Sequence, residues 1–287
     1  MAIYNALTVD VEDYFHVSAF ADSIDQQDWA HHPLRVENNT MRLLDLFDVY
    51  DVKATFFVLG WVAERKNALI RDIAARGHEV ACHGYSHQLV YNQSPEIFRS
   101  ETVRSKEILE DITGNRVRGY RAASYSITHR SIWAIDILAE AGFDYDSSIF
   151  PVRHDRYGIP DAPQYPYRIE TTAGASLVEF PLSTARFFRY RLPVAGGGYF
   201  RLYPYWLSRA GLRQINSRQM PFIFYLHPWE IDPDQPRIDA GWLSRFRHYN
   251  NLDKCEPRLR RLMQDFSFGT VWHVLGDIGL TDETVSS

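Results

Sequence analysis

The sequence predicts an α/β fold built on a parallel sheet, of the kind that closes into a (β/α) barrel. Two observations carry this. Short apolar runs alternate with longer amphipathic ones through the first two thirds of the 287 residues. Glycine then closes several amphipathic runs shortly before the next apolar one, as it does at helix C-termini. The outcome is β-α-β-α-β-α-β-α-β, the signature of parallel strands with crossover helices.

The elements follow in order. Ala6-Leu-Thr-Val9 reads as a buried strand, and residues 40–50 as a helix with Asn39 or Thr40 as cap. Ala54 to Leu59 is β-branched and aromatic, hence a strand. Val62 to Arg76 is a helix stopped by Gly77, and His78 to Cys82 is the third strand. Ser94 caps a helix from Pro95 to Ile112 that Gly114 stops, before the strand Val117 to Tyr120. A helix from His129 to Ala141 ends at Gly142 and leads into Phe143-Asp-Tyr145. Residues 150–220 break the rhythm with prolines and Gly196-Gly-Gly198, and read as an irregular insertion within one domain spanning 1–287. Phe222 to Leu226 resumes as a strand, Glu256 to Phe266 as a helix, and Val271 to Leu275 as a last strand.

Composition excludes several functions. A net charge of −5 gives no footprint for nucleic acid. Two distant cysteines, Cys82 and Cys255, build no disulfide framework. The N-terminus meets carboxylates by position 10 without a basic region, so it does not read as a signal peptide. No apolar run approaches the ~18 residues that span a bilayer. The expectation is a cytoplasmic protein.

Reactive groups in parallel α/β folds gather at the carboxyl ends of strands. That rule selects Asp10, Glu12 and Asp13, then His83 and His87, then Arg121, Asp146 and His227. The stretch HEVACHGYSH, residues 78–87, holds three of the chain's eleven histidines. It is no zincin helix, because the histidine after His78-Glu79 comes at a spacing of five, off a common face. His78 lies at the amino end of its strand and reads as structural, and Cys82 as a packed core thiol. His83 and His87 flank a turn at Gly84 and can meet at one point. Two imidazoles with one carboxylate suit a divalent ion with positions left open.

At these residues the chain resembles a known family. TVDVEDYF, HGYSH, GYRAASYSI, FDYDSSIFP and FYLHPWEID, in this order, look like the motifs of the polysaccharide deacetylases, carbohydrate esterase family 4. TFFVLGWVAER, HDRYGIP, GGGYFRL and SRFRHYNN resemble a subgroup associated with exopolysaccharide and exosortase gene clusters.

The resemblance implies a distorted (β/α) barrel, often of seven strands, and metal-dependent removal of N-acetyl groups from the amino sugars of a polysaccharide or its lipid-linked precursor. It makes Asp10 the general base, His83 and His87 metal ligands, Arg121 the group that aims the base, and His227 the general acid. Asp146 would pair with Arg121, and backbone N–H groups near Ser124 and Tyr125 would form part of an oxyanion hole. The family's third ligand stands where this chain has Val11, which leaves Glu12 and Asp13 as the two candidates. Ala123 replaces a usual proline. The metal would be Zn, with Co, Ni or Mn as alternatives. Partners would be an N-acetylated glycan and the membrane exopolysaccharide machinery. Tyr199, Phe200, Tyr203, Tyr205, Trp206 and Trp229 would supply sugar-stacking rings. A cyclic-amide or imide hydrolase of the allantoinase-like type, and a polysaccharide-binding protein with a degenerate site, are the competing readings.

Overall fold

A computed structural model describes residues 3–21, 23–188 and 190–281. In chain order the N-terminal half holds β1 (Tyr4–Val11), α1 (Val36–Val49), β2 (Thr55–Val58), α2 (Gly60–Arg65), α3 (Asn67–Ala75), β3 (Glu79–Cys82), α4 (Pro95–Thr113), β4 (Gly119–Tyr120), α5 (Ala134–Glu140) and β5 (Tyr145–Asp146). The C-terminal half holds β6 (Tyr167–Glu170), β7 (Ser176–Glu179), β8 (Thr184–Phe187), β9 (Tyr190–Pro193), α6 (Gly197–Leu202), α7 (Tyr205–Asn216), β10 (Ile223–Leu226), α8 (Trp242–Tyr249), α9 (Leu252–Asp265), β11 (Ser267–Gly269) and α10 (Val271–Asp277).

One nine-stranded sheet runs β10-β1-β2-β3-β4-β5-β7-β6, with β11 also paired to β1. Its pairings are parallel except β6 with β7, which is antiparallel. Strand alternation gives the sheet two apolar faces. Leu7, Val9 and Val11 enter the larger core with the buried residues of the helices, such as Leu43, Phe47, Ile70 and Leu109. Ala6, Phe57, Ala81, Tyr145, Val178 and Ile223 fill a second cluster on the opposite face.

The α/β class and the parallel succession match the expectation, but the ladder does not close among the described residues. The gap beside β10 is spanned by single contacts instead. Tyr225 N–H donates to Ala195 O at 2.7 Å, and Ile223 N–H donates to Ser183 Oγ at 2.9 Å. Gly196 fits there because a Cβ would lie 1.9 Å from Tyr225 O, and its φ of 128° suits glycine alone.

Several boundaries differ from the sequence reading. The first helix begins at Val36, one turn early, because the Asp13 carboxylate serves its N-terminus from across the chain. The 62–76 helix is broken at Lys66, whose φ/ψ of −132°/48° is not helical. Only Ala134–Glu140 of the 129–141 segment is α-helical. The 150–220 insertion is regular in large part, holding the β6–β7 and β8–β9 hairpins and helices α6 and α7. Val271–Leu275 lies in α10, not in a strand, since the Thr270 hydroxyl caps it by accepting from His273 N–H at 3.1 Å. The last strand is β11. No helix among the described residues is long and apolar enough to cross a membrane.

Candidate active site

Alternation also decides which side chains meet. Thr8 and Asp10 share the face of Ala6, while His83 and His227 follow Ala81 and Tyr225 by two residues on that same face. Arg121 stands two residues beyond Gly119, where any Cβ would run into the Tyr145 ring of the same cluster. These groups converge at the carboxyl ends of the strands, in a cleft of about 420 Å³ whose walls include Tyr91, Tyr157, Tyr199 and Leu202.

Arg121 is fully buried and holds Asp10. Its Nη1 donates to Asp10 Oδ1 and to Thr8 Oγ1, both at 2.7 Å. Nε donates to Ser147 O at 3.1 Å and Nη2 to Ser147 Oγ at 3.0 Å, and the guanidinium lies 4.1 Å from the Phe57 ring centre. Such a fixed fork holds the carboxylate in one orientation. The second Asp10 oxygen faces the cleft, with the Tyr125 hydroxyl donating to it at 3.4 Å.

Glu12, His83 and His87 form the one group of three metal-capable side chains among the described residues, with donor atoms all within 4.8 Å of one another. The Nδ1–H of His83 donates to Arg121 O at 2.7 Å, which turns its Nε2 lone pair outward. Burial pushes the His83 imidazole down to about 4, so it stays a neutral donor. His87 is set by a left-handed residue, φ 53°, and its Nε2 lies 2.7 Å from Glu12 Oε2. Burial alone would raise the Glu12 carboxyl, yet His87 and His227 hold it well below the usual carboxylate range. Its Oε2 is buried without a hydrogen-bond donor. An anionic oxygen and two imidazole nitrogens facing one point fit a divalent cation.

Asp13, the other carboxylate left open by the sequence, points elsewhere. Its Oδ1 accepts from Tyr14 N–H at 3.0 Å, and its Oδ2 from Arg35 and Val36 N–H at 2.7 and 2.9 Å. It caps α1, and burial pushes it up to about 6 against the pull of those N–H groups.

His227 presents Nε2 to the site, 3.9 Å from Asp10 Oδ2 and 3.4 Å from Glu12 Oε1. Burial opposes its protonation, but Glu12, Glu230 and Asp10 outweigh burial and raise it to about 9. Glu230 was missed by the sequence reading. Its Oε1 takes His227 Nδ1 at 2.7 Å and its Oε2 takes Arg201 Nε at 2.6 Å. Arg201, 2% exposed, also donates to the carbonyls of Arg247, His248 and Asn250. The usable signal was local: a carboxylate three residues after a histidine, across Pro228, as in a capping box.

Ser124 and Tyr125 both adopt positive φ, 50° and 56°, in the loop after β4. The Tyr125 amide donates to Ala122 O at 3.1 Å, so its hydroxyl rather than its N–H serves the centre. Ser124 Oγ stands 2.6 Å from Ser18 Oγ.

Asp146 does not pair with Arg121, because alternation from Tyr145 turns it to the opposite face. It stands in register with Glu179 on β7 instead. Burial raises both carboxyls, Glu179 further because Asp146 is beside it. Asp146 Oδ1 accepts from Ser148 Oγ at 2.6 Å, and that hydroxyl accepts from Ala122 N–H at 2.8 Å. Asp146 therefore supports the loop after β4 from behind. Of the expected stacking rings, Tyr199 and the largely buried Trp229 line the cleft, Phe200 is buried, and Trp206 is exposed outside the lining. Trp229 instead stacks on His227 at 5.0 Å and donates Nε1–H to Glu12 Oε1 at 3.2 Å.

Parts of the chain are similar to known proteins. Residues 24–145 match the polysaccharide deacetylase family model, and residues 147–276 match a domain of unknown function, DUF3473. The chain is 32% identical over 108 residues to a peptidoglycan deacetylase of Helicobacter pylori, covering 38% of this chain and 36% of that protein. It is 30% identical over 100 residues to a chitooligosaccharide deacetylase of Bradyrhizobium, covering 35% of this chain and 43% of that one. The match thus spans well under half the length of these curated relatives. Among solved structures, a candidate polysaccharide deacetylase from Mycobacterium smegmatis superposes with a TM-score of 0.59 at 23% identity, over 98% of this chain and 93% of that one. The peptidoglycan deacetylase PdaC of Bacillus subtilis superposes with a TM-score of 0.51 at 14% identity, over 95% and 90% of the two chains. Both share the fold. Residues 24–145 are thus similar to the polysaccharide deacetylases, and the chain shares the fold of the two solved structures.

Proposed function

We propose that the protein is a metal-dependent N-deacetylase of amino sugars in a polysaccharide or its lipid-linked precursor. The observation that carries this is the convergence of Glu12, His83 and His87 with Asp10 and His227, whose Nε2 lies 3.9 Å from Asp10 Oδ2 and 3.4 Å from Glu12 Oε1. The similarity to deacetylases supports it. Since Arg201, His227 and Glu230 come from the DUF3473 segment and complete the same cleft, we read the chain as one domain.

Glu12, His83 and His87 would hold the cation, with zinc the best fit to two imidazoles and a carboxylate. Bound there, the cation supplies Lewis-acid chemistry. Asp10, aimed by Arg121, takes a proton from the attacking water as the new C–O bond forms. His227, kept protonated at Nε2 and held at Nδ1 by Glu230, delivers a proton to the amine nitrogen as the C–N bond breaks, releasing acetate. A positioned acid or base of this kind contributes typically ~10²–10⁴ in rate. The Tyr125 hydroxyl fixes the free oxygen of Asp10. The motifs HDRYGIP, GGGYFRL and SRFRHYNN are the basis for placing the enzyme in exopolysaccharide synthesis.

The deciding experiment measures acetate release from N-acetylglucosamine oligomers and from lipid-linked N-acetylated sugars. Activity lost on chelation and regained with Zn²⁺ or Co²⁺ supports the reading. Undiminished activity after chelation removes the metal from it.

A further inference from the structure

The floor and the mouth of the cleft have opposite charge. Asp10 and Glu12 are its acidic wall residues; Arg121 pairs with Asp10, and His227 stands 3.4 Å from Glu12. At the mouth stand Arg156 and Arg247, both exposed, and neither forms an ion pair among the described residues. We propose that Arg156 and Arg247, which line the same wall as His154, form an anion subsite that takes a carboxylate or phosphate carried by the glycan beside its acetylated sugar. The choice of substrate rests on the deacetylase reading; the subsite itself does not.

The two cations are placed, not merely present. Arg156 Nη2 donates to Ser18 O at 3.2 Å, and Ser18 Oγ touches Ser124 Oγ, which ties this guanidinium to the loop behind the base. Arg247 belongs to α8, whose sequence WLSRFRHY contains no acid. Its carbonyl accepts from Arg201 Nη2 at 3.1 Å, so its backbone is anchored to the residue that holds Glu230. His154 stacks face to face on Tyr157, 3.8 Å between centres and 5° between planes, which fixes the ring in the wall. The neighbouring carboxylate, Asp155, contacts His154 Nδ1 at 2.9 Å and leaves the arginines alone. Burial first, and then both arginines, oppose protonation of His154, against the pull of Asp155.

A neutral acetylated glycan gives no use for two uncompensated guanidinium groups at this mouth. An anionic one does, since the planar fork matches carboxylate and phosphate oxygens in pairs. A uronic acid in the polymer and a diphosphate on a carrier-linked sugar both supply such a group.

The test compares three substrates in the metal-loaded enzyme: fully acetylated chitotetraose, an oligosaccharide alternating N-acetylglucosamine with glucuronate, and UDP-N-acetylglucosamine. Wild type is set against Arg156→Ala/Arg247→Ala. The expected result is that kcat/KM for one charged substrate, relative to chitotetraose, falls by about tenfold or more in the variant, and that 0.5 M salt produces a similar fall in wild type. The substrate that responds tells carboxylate from phosphate. A ratio unchanged in both charged arms overturns the subsite, including the case where all three rates drop together. Binding of the same charged compounds by calorimetry supplies the second readout. If wild type releases no acetate from any oligomer, the deacetylase reading fails. Tighter binding by wild type than by the variant would still support the subsite, and equal binding would overturn it.

Discussion

The Nδ1 of His227 stands 2.7 Å from Glu230 Oε1, and the other oxygen of that carboxylate is taken by the buried Arg201. This relay fixes which nitrogen of His227 faces the cleft. Glu230→Gln keeps the shape but gives up the charge that holds the imidazole protonated. The expected result is a fall in kcat of roughly 10²–10⁴ with bound metal unchanged, since the acid's contribution is what is lost. Steady-state kinetics beside elemental analysis checks it. An unaltered kcat would reduce Glu230 to a packing partner.

Asp10→Asn and His83→Ala separate base from metal. Both should drop turnover below a tenth of wild type. The first keeps its metal, because Asp10 is not among the three clustered donors. The second loses it. Metal retained in His83→Ala would contradict the ligand set.

Glu12 and Asp13 are adjacent in sequence and opposite in task. Glu12→Ala should abolish stoichiometric metal binding with modest loss of stability. Asp13→Ala should bind metal yet unfold at lower denaturant, by roughly 2–3 kcal/mol, because the N–H groups of Tyr14, Arg35 and Val36 lose their acceptor in a buried place. Chemical denaturation and metal analysis on both variants decide the matter. The reverse pattern would exchange the two roles.

His78 sets an acid limit on stability. Its Nδ1 accepts from Ala54 N–H at 3.1 Å, and its Nε2 is buried without a partner. Burial pushes it down to about 4, from 6.5 in the unfolded chain. As pH falls, the unfolded chain takes the proton first, so stability is full above pH 6.5 and declines toward pH 4. The decline amounts to roughly 3 kcal/mol. His78→Gln should flatten that slope relative to wild type, whatever it does to stability at neutral pH. Parallel slopes in urea unfolding between pH 7 and 4.5 would contradict this.

Much of the fold was legible because alternation and glycine stops are local signals. Strand ends carried Asp10, His83, Arg121 and His227 to one rim, as the order of elements implied. What was not legible depends on distant partners. Nothing near Asp13 announces that it caps a helix beginning at residue 36. Nothing near Asp146 announces that its neighbour in register is Glu179. The apolar run Val271–Leu275 fits strand or buried helix equally by composition, and the capping hydroxyl of Thr270 decides for the helix. The open ladder could not be read either, since the contacts that span the gap pass through Ala195 and Ser183 in the irregular stretch.

Arg121 touches both working halves of the centre. Its guanidinium holds Asp10, and its carbonyl receives the proton of His83. Base and ligand therefore hang from a single post. A shift in the backbone after β4 would disturb the hydrogen bond to Asp10 and the one from His83 together. Distortion at this point would act as a misalignment of one half against the other, felt in metal affinity and proton transfer at once.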